Sequence, residues 1–282
     1  MIIQNTIKQA SKILKNYNIP SHVLDAEVIL ANIMGVEREF FIINDTLKIS
    51  KKIIKKYNYA IKRRIKREPV AYITGKREFW SKDFNVNGST LIPRPETELL
   101  VDLVTNYCKN RIINILDIGT GSGCILLSIL KELNFSKGIG IDISARAIKT
   151  AIINSKRLRL INNSKFIVAS LDNFYLGKYD LIVSNPPYIP SKDIKNLSKD
   201  IINYEPLLAL DGGVDGLDLI KKVIYKSNHL LKKEGLLALE IGHNQYRRVA
   251  VLLRNSGFRE ISKKFDYNNN VRCIISTKVK FF

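Results

Sequence analysis

The sequence has few residues that could cross-link the chain or hold a metal ion. Of its 282 residues, three are cysteines and three are histidines. They lie far apart and follow no ligand spacing, so the sequence supports neither a disulfide framework nor a zinc site, and we predict no metal. The six residues are Cys108, Cys124, Cys273, His22, His229 and His243.

Long apolar runs are also missing. Residues 1–8 lack the continuous apolar core of a signal peptide, and no later stretch is uninterrupted enough to span a bilayer. We therefore expect a cytoplasmic protein with no membrane partner, and we expect a monomer.

Acidic residues are scarce relative to basic ones. The chain has 26 Asp and Glu against 46 Lys and Arg, which gives a formal net charge of +20. Such a charge usually indicates a polyanionic partner such as nucleic acid. The same charge would follow from a nucleotide bias in the genome, because lysine, isoleucine and asparagine are used heavily throughout. Weak proximity to RNA or the ribosome is compatible with both explanations, and both stay open.

Residues 179–184 are typical of a buried strand, and this strand must end abruptly. Two prolines follow Asn185, and neither can donate to a ladder. Asn185 therefore lies at the carboxyl end of a strand, where open α/β sheets bind ligands. Its side-chain carbonyl and the backbone carbonyl of Pro186 offer two acceptors to a substrate with an NH2 group, and Tyr188 offers a flat face. The alternative is a plain turn after a core strand, since Asn-Pro and Pro-Pro are common in loops.

A second motif upstream favours the ligand site. Residues 112–118 form a predicted buried strand, after which Gly119, Gly121 and Gly123 lead into a helix. This is the layout of a Rossmann-type nucleotide loop, in which glycine lets the backbone approach a ligand closely. The next strand ends at Asp142, about 20 residues further on, where a carboxylate can accept both hydroxyls of a ribose. An Asp that caps the following helix is the alternative for this residue.

These two motifs together resemble the class I S-adenosylmethionine-dependent methyltransferases that act on planar amino or amide nitrogens. Further motifs narrow the resemblance to the HemK/PrmC family, which methylates a glutamine side chain of peptide chain release factors. The likeness covers nearly the whole chain. The further motifs lie at residues 92–98 (Ile-Pro-Arg-Pro-Glu-Thr-Glu), 204–206 (Tyr-Glu-Pro), 209–218 and 240–242 (Glu-Ile-Gly).

The resemblance implies an enzyme, a protein-(glutamine-N5) methyltransferase, with S-adenosyl-L-methionine as cofactor and class I peptide chain release factors as partners. The implied fold is α/β, with a Rossmann-like sheet, an antiparallel strand near the C-terminus and a small N-terminal helical domain. The expected catalytic residues are Asn185, Pro186, Pro187 and Tyr188. The expected cofactor-binding residues are Gly119, Thr120, Gly121, Ser122, Gly123, Asp142, Asp172, Asn173 and Asn185. Asp172 and Asn173 follow only from the loop that usually meets the adenine in this fold; relatives often carry a tryptophan near there.

Periodicity predicts how the chain is organised. Apolar residues at helical spacing predict helices over 7–17, 23–34 and 53–67, with Ser21 capping the second helix and Gly35 ending it. We predict a helical substrate-recognition domain over 1–75, a β-hairpin linker over 76–93 split by Gly88-Ser89, and a methyltransferase domain over 94–282. After residue 112 strands and helices alternate, which predicts a parallel sheet covered on both faces.

Three other functions remain open. One is methylation of the exocyclic amino group of a nucleic-acid base, which the charge favours but for which no target-recognition domain is visible. Another is methylation of a ribosomal-protein glutamine. The third is a non-catalytic module that binds nucleotide or RNA, against which the intact acceptor motif at 185–188 argues.

Overall fold

The computed structural model describes residues 1–279, and the chain divides into two compact units. The first comprises residues 1–76 together with 198–204, and the second comprises 77–197 together with the chain from 205 onward. The smaller unit is therefore not one continuous stretch of sequence.

The smaller unit is helical. Its core holds apolar side chains that recur at helical spacing, among them Ile3, Leu14, Ile29 and Leu30. Tyr57 is buried with them, and its hydroxyl donates to the carbonyl of Ala26 at 2.9 Å. The helices are α1 (Ile3–Asn16), α2 (His22–Met34), α3 (Phe40–Ile43), α4 (Lys51–Ile65), α5 (Val70–Thr74) and α9 (Lys199–Tyr204).

The larger unit contains the alternating strands and helices that the sequence predicts. Its strands are β1 (Lys76–Phe79), β2 (Lys82–Asn85), β3 (Asn114–Ile118), β4 (Lys137–Asp142), β5 (Ser164–Val168), β6 (Tyr179–Ser184), β7 (Leu231–Glu240), β8 (Phe258–Phe265) and β9 (Val271–Lys278). Its helices are α6 (Glu98–Tyr107), α7 (Cys124–Glu132), α8 (Ala145–Arg157), α10 (Asp218–Leu230) and α11 (Tyr246–Asn255).

The main sheet has seven strands in the order β5-β4-β3-β6-β7-β9-β8. The first five are parallel, and β9 runs antiparallel to both of its neighbours. The chain moves outward from β3 to β5 and then returns to β6 on the other side of β3. The switch point of the sheet therefore lies between β3 and β6, where open α/β folds form a ligand crevice.

Both faces of the sheet are buried, as the near-continuous apolar strands require. Leu181 and Val183 lie in a core with α6 and α7, whereas Ile182 lies in a second core with α10 and α11. Successive strand side chains point to opposite faces, so adjacent residues of β6 enter different cores. The helices consequently fix the strand ends from both sides.

The hairpin differs from the sequence prediction. Its strands β1 and β2 are joined at Trp80-Ser81, not at Gly88-Ser89. Both turn residues have positive φ, 52° and 55°, a conformation that glycine adopts more easily. Hydrogen bonds hold Trp80 there, because its backbone N–H donates to Glu98 and its indole N–H to Glu132, both at 2.8 Å.

One predicted helix cap also differs. Ser21 occupies the N-cap position of α2, but its side chain accepts no capping hydrogen bond. Gly35 ends the helix as predicted, in the left-handed conformation with φ of 70°.

Candidate active site

The glycine-rich turn, Asp142 and Asn185 lie at one edge of the sheet. Ile118, the last residue of β3, pairs with Ser184 at the end of β6 and with Ile141 near the end of β4. The three segments that follow these strands therefore begin side by side. The sheet thus brings together motifs that the sequence separates by more than 60 residues.

The glycines of the turn after β3 determine its shape and the space beside it. The amides of Gly119 and Thr120 both donate to the carbonyl of Ile141 at 2.9 Å. Gly119 and Gly121 have positive φ, and a Cβ at Gly119 would meet no atom within 4 Å. Gly123 is different, because a Cβ there would lie 3.2 Å from Ala151. The first two glycines therefore leave space beside the backbone, whereas the third serves close packing.

Asp142 is bonded to this turn. Its Oδ2 accepts from the amide of Gly121 at 3.0 Å, and its Oδ1 accepts from the amide of Ser144 at 2.9 Å. The helix cap itself is Ser144, whose hydroxyl accepts from the amide of Ala147 at 3.2 Å. Asp142 thus stabilises the start of α8 and also faces the glycine turn.

The amide of Asn185 has a defined orientation. Its Nδ2 donates to the hydroxyl of Thr97 at 3.2 Å. Within residues 1–279 no donor is bonded to Asn185 Oδ1 or to the carbonyl of Pro186. Pro186 is buried and Asn185 is half-buried. Two carbonyl oxygens in succession therefore remain available to a ligand that carries N–H groups.

Tyr188 is fixed at its hydroxyl. That hydroxyl lies 3.3 Å from Oε1 of Glu240 and accepts a hydrogen bond from Nη2 of Arg272 at 2.9 Å. Burial, reinforced by the negative charge of Glu240, raises the pKa of Tyr188 to about 12. The tyrosine therefore stays neutral at physiological pH, with its hydroxyl engaged by protein groups.

The segment after Tyr188 is held by the motif at 209–218. Gln245 Nε2 donates to the carbonyls of Tyr188 and Gly216, both at 3.0 Å. A Cβ at Gly216 would lie 2.4 Å from the carbonyl of Tyr188. Glycine is therefore required here because the two chain segments touch.

A buried carboxylate joins two other motifs. Glu205, from the motif at 204–206, accepts from the amide of Ile92 at 3.1 Å and from Nη2 of Arg94 at 2.6 Å. Its side chain is 1% exposed. This ion pair fixes the start of the segment that leads to Thr97, and hence to Asn185.

Asp172 and Asn173 lie in an exposed turn after β5. Asp172 forms an ion pair with Lys222 of α10 at 3.2 Å. In the described chain, neither side chain is bonded to the glycine turn, to Asp142 or to Asn185.

No individual role was predicted from the sequence for four residues near the site, Asp117, Thr97, Glu240 and Arg272. Asp117 is fully buried; its Oδ2 accepts from the hydroxyl of Thr120 at 2.6 Å, and its Oδ1 has no hydrogen-bond partner in the part of the chain described. Burial raises the pKa of Asp117 to about 7. Three of the four lie within motifs quoted above, so the signal was present in the sequence; Arg272 lies in none.

Comparisons with known proteins identify the family of this chain. The PrmC N-terminal domain model matches residues 5–75, and a methyltransferase domain model matches residues 109–280. A release factor glutamine methyltransferase from Clostridium acetobutylicum is 36% identical over 99% of this chain and 99% of its own. One of the same name from Buchnera aphidicola subsp. Schizaphis graminum is 38% identical over 99% of this chain and 100% of its own. This chain belongs to the release factor glutamine methyltransferase family.

Among solved structures, a methyltransferase from Pyrococcus furiosus shares the fold. It is 17% identical, with a TM-score of 0.54 over 70% of this chain and 89% of that chain. The predicted family, the class I methyltransferase fold, the enzyme class and S-adenosylmethionine as methyl donor are confirmed. No helix in the described chain has the length and apolarity needed to cross a membrane.

The residues of this family member fit that methyl donor. Open space lies beside Gly119, and Oδ1 of Asp117, which has no hydrogen-bond partner among residues 1–279, is a buried acceptor at the base of the same turn. The carboxylate of Asp142 lies at the other side of the turn. Buried and half-buried carboxylates suit a ligand with a positively charged ammonium, a sulfonium and ribose hydroxyls.

Proposed function

We propose that this protein transfers the methyl group of S-adenosylmethionine to the side-chain amide nitrogen of a glutamine in class I peptide chain release factors, giving N5-methylglutamine. The names of the full-length relatives support this substrate. The structural observation that carries the proposal is the amide of Asn185, whose Nδ2 donates to Thr97 while its Oδ1 accepts from no donor among residues 1–279. We further propose that the enzyme acts as a monomer in the cytoplasm.

The acceptor site would overcome the weak nucleophilicity of an amide. An amide nitrogen attacks poorly because its lone pair is delocalised into the carbonyl. Asn185 Oδ1 and the Pro186 carbonyl accept the two N–H groups of the substrate, which directs the lone pair toward the methyl carbon and favours the positive charge that develops. Pro187 stiffens the segment, and the ring of Tyr188 lies against the amide plane. The methylated nitrogen is strongly acidic, so it loses its proton without a tuned general base.

The cofactor supplies a methyl group bonded to a positively charged sulfur. In this proposal the turn formed by Gly119, Thr120, Gly121, Ser122 and Gly123 holds the methionine portion. Asp142 accepts the ribose hydroxyls, and Asn185 borders the methyl group. We propose that Asp172 and Asn173, in the exposed turn after β5, contact the adenine.

A labelled-transfer assay tests the substrate. Purified protein is incubated with methyl-labelled S-adenosylmethionine and a class I release factor. We expect label on the wild-type factor and none on a factor whose acceptor glutamine is replaced. Label that persists on the replaced factor would refute the assignment.

Asn185→Ala tests the acceptor site separately. Because the variant loses one of two acceptors but keeps the glycine turn, we expect transfer to fall by at least about 100-fold, within the range for removing one preorganised polar contact. Cofactor affinity, measured by calorimetry, should change much less. If the transfer rate and the cofactor affinity fell by the same factor, Asn185 would hold the cofactor and not the substrate amide.

The charge of +20 favours one other acceptor, the exocyclic amino group of a nucleic-acid base. The same assay with bulk RNA and DNA in place of the release factor distinguishes the two. We expect no label on nucleic acid. A ribosomal protein fraction serves as the third arm, because a glutamine there would fit the same site.

We propose that the basic helical unit contacts the release factor or nearby RNA.

A further inference from the structure

The antiparallel strand β9 brings an arginine to the edge of the sheet where the acceptor motif lies. The parallel strands β3 and β6 end at this edge, whereas β9 runs in the opposite direction and begins there. Arg272 is the second residue of β9, and its backbone carbonyl accepts from the amide of Ile241 at 2.9 Å, directly after Glu240 at the end of β7. Backbone pairing therefore fixes the point from which the Arg272 side chain extends.

Arg272 contacts Tyr188 in two ways. Its Nη2 donates to the tyrosine hydroxyl at 2.9 Å, and its Cζ lies over the tyrosine ring, 5.4 Å from the ring centre, within the range of cation–π attraction. The arginine side chain is only 11% exposed, so water screens these contacts little. The hydroxyl and the ring of Tyr188 are thus both held from β9.

The hydroxyl of Tyr188 is fully engaged by protein groups. A guanidinium can only donate, so the tyrosine oxygen must accept from Arg272. The hydroxyl proton is then directed to Oε1 of Glu240, which lies 3.3 Å away. Tyr188 keeps this proton near neutral pH, because burial raises its pKa to about 12. The ring is therefore the part of Tyr188 that remains for a substrate.

The two buried charges are not arranged as a close ion pair. Nη2 of Arg272 and Oε1 of Glu240 are 3.7 Å apart, which exceeds hydrogen-bond distance. Within residues 1–279, Nε of Arg272 and Oε2 of Glu240 have no hydrogen-bond partner. Burial of two charges costs free energy that such a loose pair offsets only in part. Stability alone therefore does not explain the arginine, whereas its contact with the tyrosine hydroxyl does.

We propose that Arg272 is a positioning residue for methyl transfer, which holds the ring of Tyr188 in place against the substrate amide. This inference rests on the proposed function, because it concerns the site that would accept that amide. Without the guanidinium, the ring can leave this orientation. The substrate then still binds, but its amide nitrogen is aligned with the methyl carbon less often.

Arg272→Met tests the role, because it removes the guanidinium and keeps an unbranched side chain. We expect kcat to fall about tenfold, equivalent to about 1.4 kcal/mol, while the KM for the release factor and the cofactor affinity stay within about twofold. Arg272→Lys keeps the charge and should restore part of the rate. Arg259→Met, which changes an exposed arginine of the neighbouring strand β8, is the matched control and should leave kcat unchanged. An Arg272→Met enzyme with wild-type kcat would overturn the proposal.

Tyr188→Phe completes a double-mutant cycle. Because Tyr188→Phe and Arg272→Met break the same hydrogen bond, the double variant should be no slower than the slower single variant. Multiplied losses would mean that Arg272 acts elsewhere, and they would count against the proposal. Thermal unfolding identifies a variant that fails to fold. If Arg272→Met fails, Arg272→Met combined with Glu240→Gln takes its place, since it leaves no charge buried alone.

A spectroscopic measurement needs no methyl acceptor. In protein with ¹³C-labelled tyrosine, the Cζ resonance of Tyr188 is assigned from its loss in Tyr188→Phe. It should shift in Arg272→Met but not in Arg259→Met, because Cζ carries the hydroxyl that Arg272 bonds. If the wild-type enzyme labels no release factor yet this shift occurs, the proposed substrate is wrong and the positioning of Tyr188 stands. An unchanged resonance would refute the positioning itself.

Discussion

The side-chain carboxyl group of Asp117 is buried beside the glycine turn. It is fully buried, and its Oδ2 accepts a hydrogen bond from the hydroxyl of Thr120. Burial raises its pKa to about 7 because the charged form loses its hydration. Near neutral pH the folded protein without cofactor therefore holds a proton that the unfolded chain has released.

This proton makes the stability of the protein depend on pH. A pKa raised in the folded state contributes stability that is fully present below about pH 4 and is lost as pH rises to about 7. Asp117→Asn removes the dependence, so the free energy of unfolding of the wild type should fall relative to the variant by up to about 4 kcal/mol between pH 4 and 8. Urea unfolding at a series of pH values measures the difference.

The control for this series is Glu78→Gln, which changes an exposed carboxylate of the hairpin. Its unfolding free energy should follow that of the wild type at every pH. If the curves of unfolding free energy against pH were parallel for Asp117→Asn and the wild type, Asp117 would be ionised in the folded protein.

Residue types predicted the position of the acceptor motif but not its hydrogen bonds. Asn185 and Thr97 are 88 residues apart, and Tyr188 and Arg272 are 84 apart. Each motif marks a place at the edge of the sheet because strand ends and glycine turns are local properties. Which side chain donates to which depends on tertiary contacts, and the sequence contains no local signal for them.

At the scale of elements, the strands were predictable because each is a short, nearly continuous apolar segment that ends at a turn signal. The strand 179–184 was predicted to the residue, since two prolines follow it. The hairpin was not, because the prediction relied on the usual glycine turn. Contacts of Trp80 with Glu98 and Glu132 outweigh the local preference for Gly88-Ser89.

Two glycines of β4 allow a matched test of how the strand supports the cofactor turn. A Cβ at Gly140 would lie 2.7 Å from both Phe166 and the hydroxyl of Thr120, whereas a Cβ at Gly138 would lie 2.3 Å from Leu126 in the core. Both alanine variants should lose about 1–3 kcal/mol of stability by overpacking. Only Gly140→Ala displaces Thr120, and so only it should weaken cofactor binding, by about tenfold or 1.4 kcal/mol.

Calorimetry with S-adenosylmethionine, together with thermal unfolding, separates these two effects. Gly138→Ala is the control, because it carries the stability loss without touching the turn. Equal affinities of the two variants would mean that the contact between Thr120 and Gly140 does not set the shape of the cofactor site.

At the scale of the whole molecule, the small unit is completed by a segment from far along the chain. The sequence predicted a continuous helical domain over 1–75, and α9 lies outside it. Asp200 of α9 forms an ion pair with Arg64 at 2.6 Å, and Tyr204 donates to the carbonyl of Lys66 at 2.8 Å. A contact across 136 residues leaves no periodic signal, so this addition could not be predicted.

Asp200 should therefore stabilise helices that are distant in sequence. Arg64 is buried, and it also donates to Asp25 at 2.7 Å, so loss of Asp200 leaves its charge only partly compensated. We expect Asp200→Ala to cost about 2 kcal/mol, less than the 3–5 kcal/mol for a buried charge with no partner left. Hydrogen exchange should show lower protection in α1, α2 and α4.

Asp193→Ala is the matched control, since Asp193 lies shortly before the same segment but within the larger unit. It should leave the protection of α1, α2 and α4 unchanged. Tyr204→Phe removes the second contact and should lower protection in the same helices by a smaller amount, because a neutral hydrogen bond contributes less than one to a charge. Undiminished protection in both Asp200→Ala and Tyr204→Phe would mean that residues 1–76 are stable without α9.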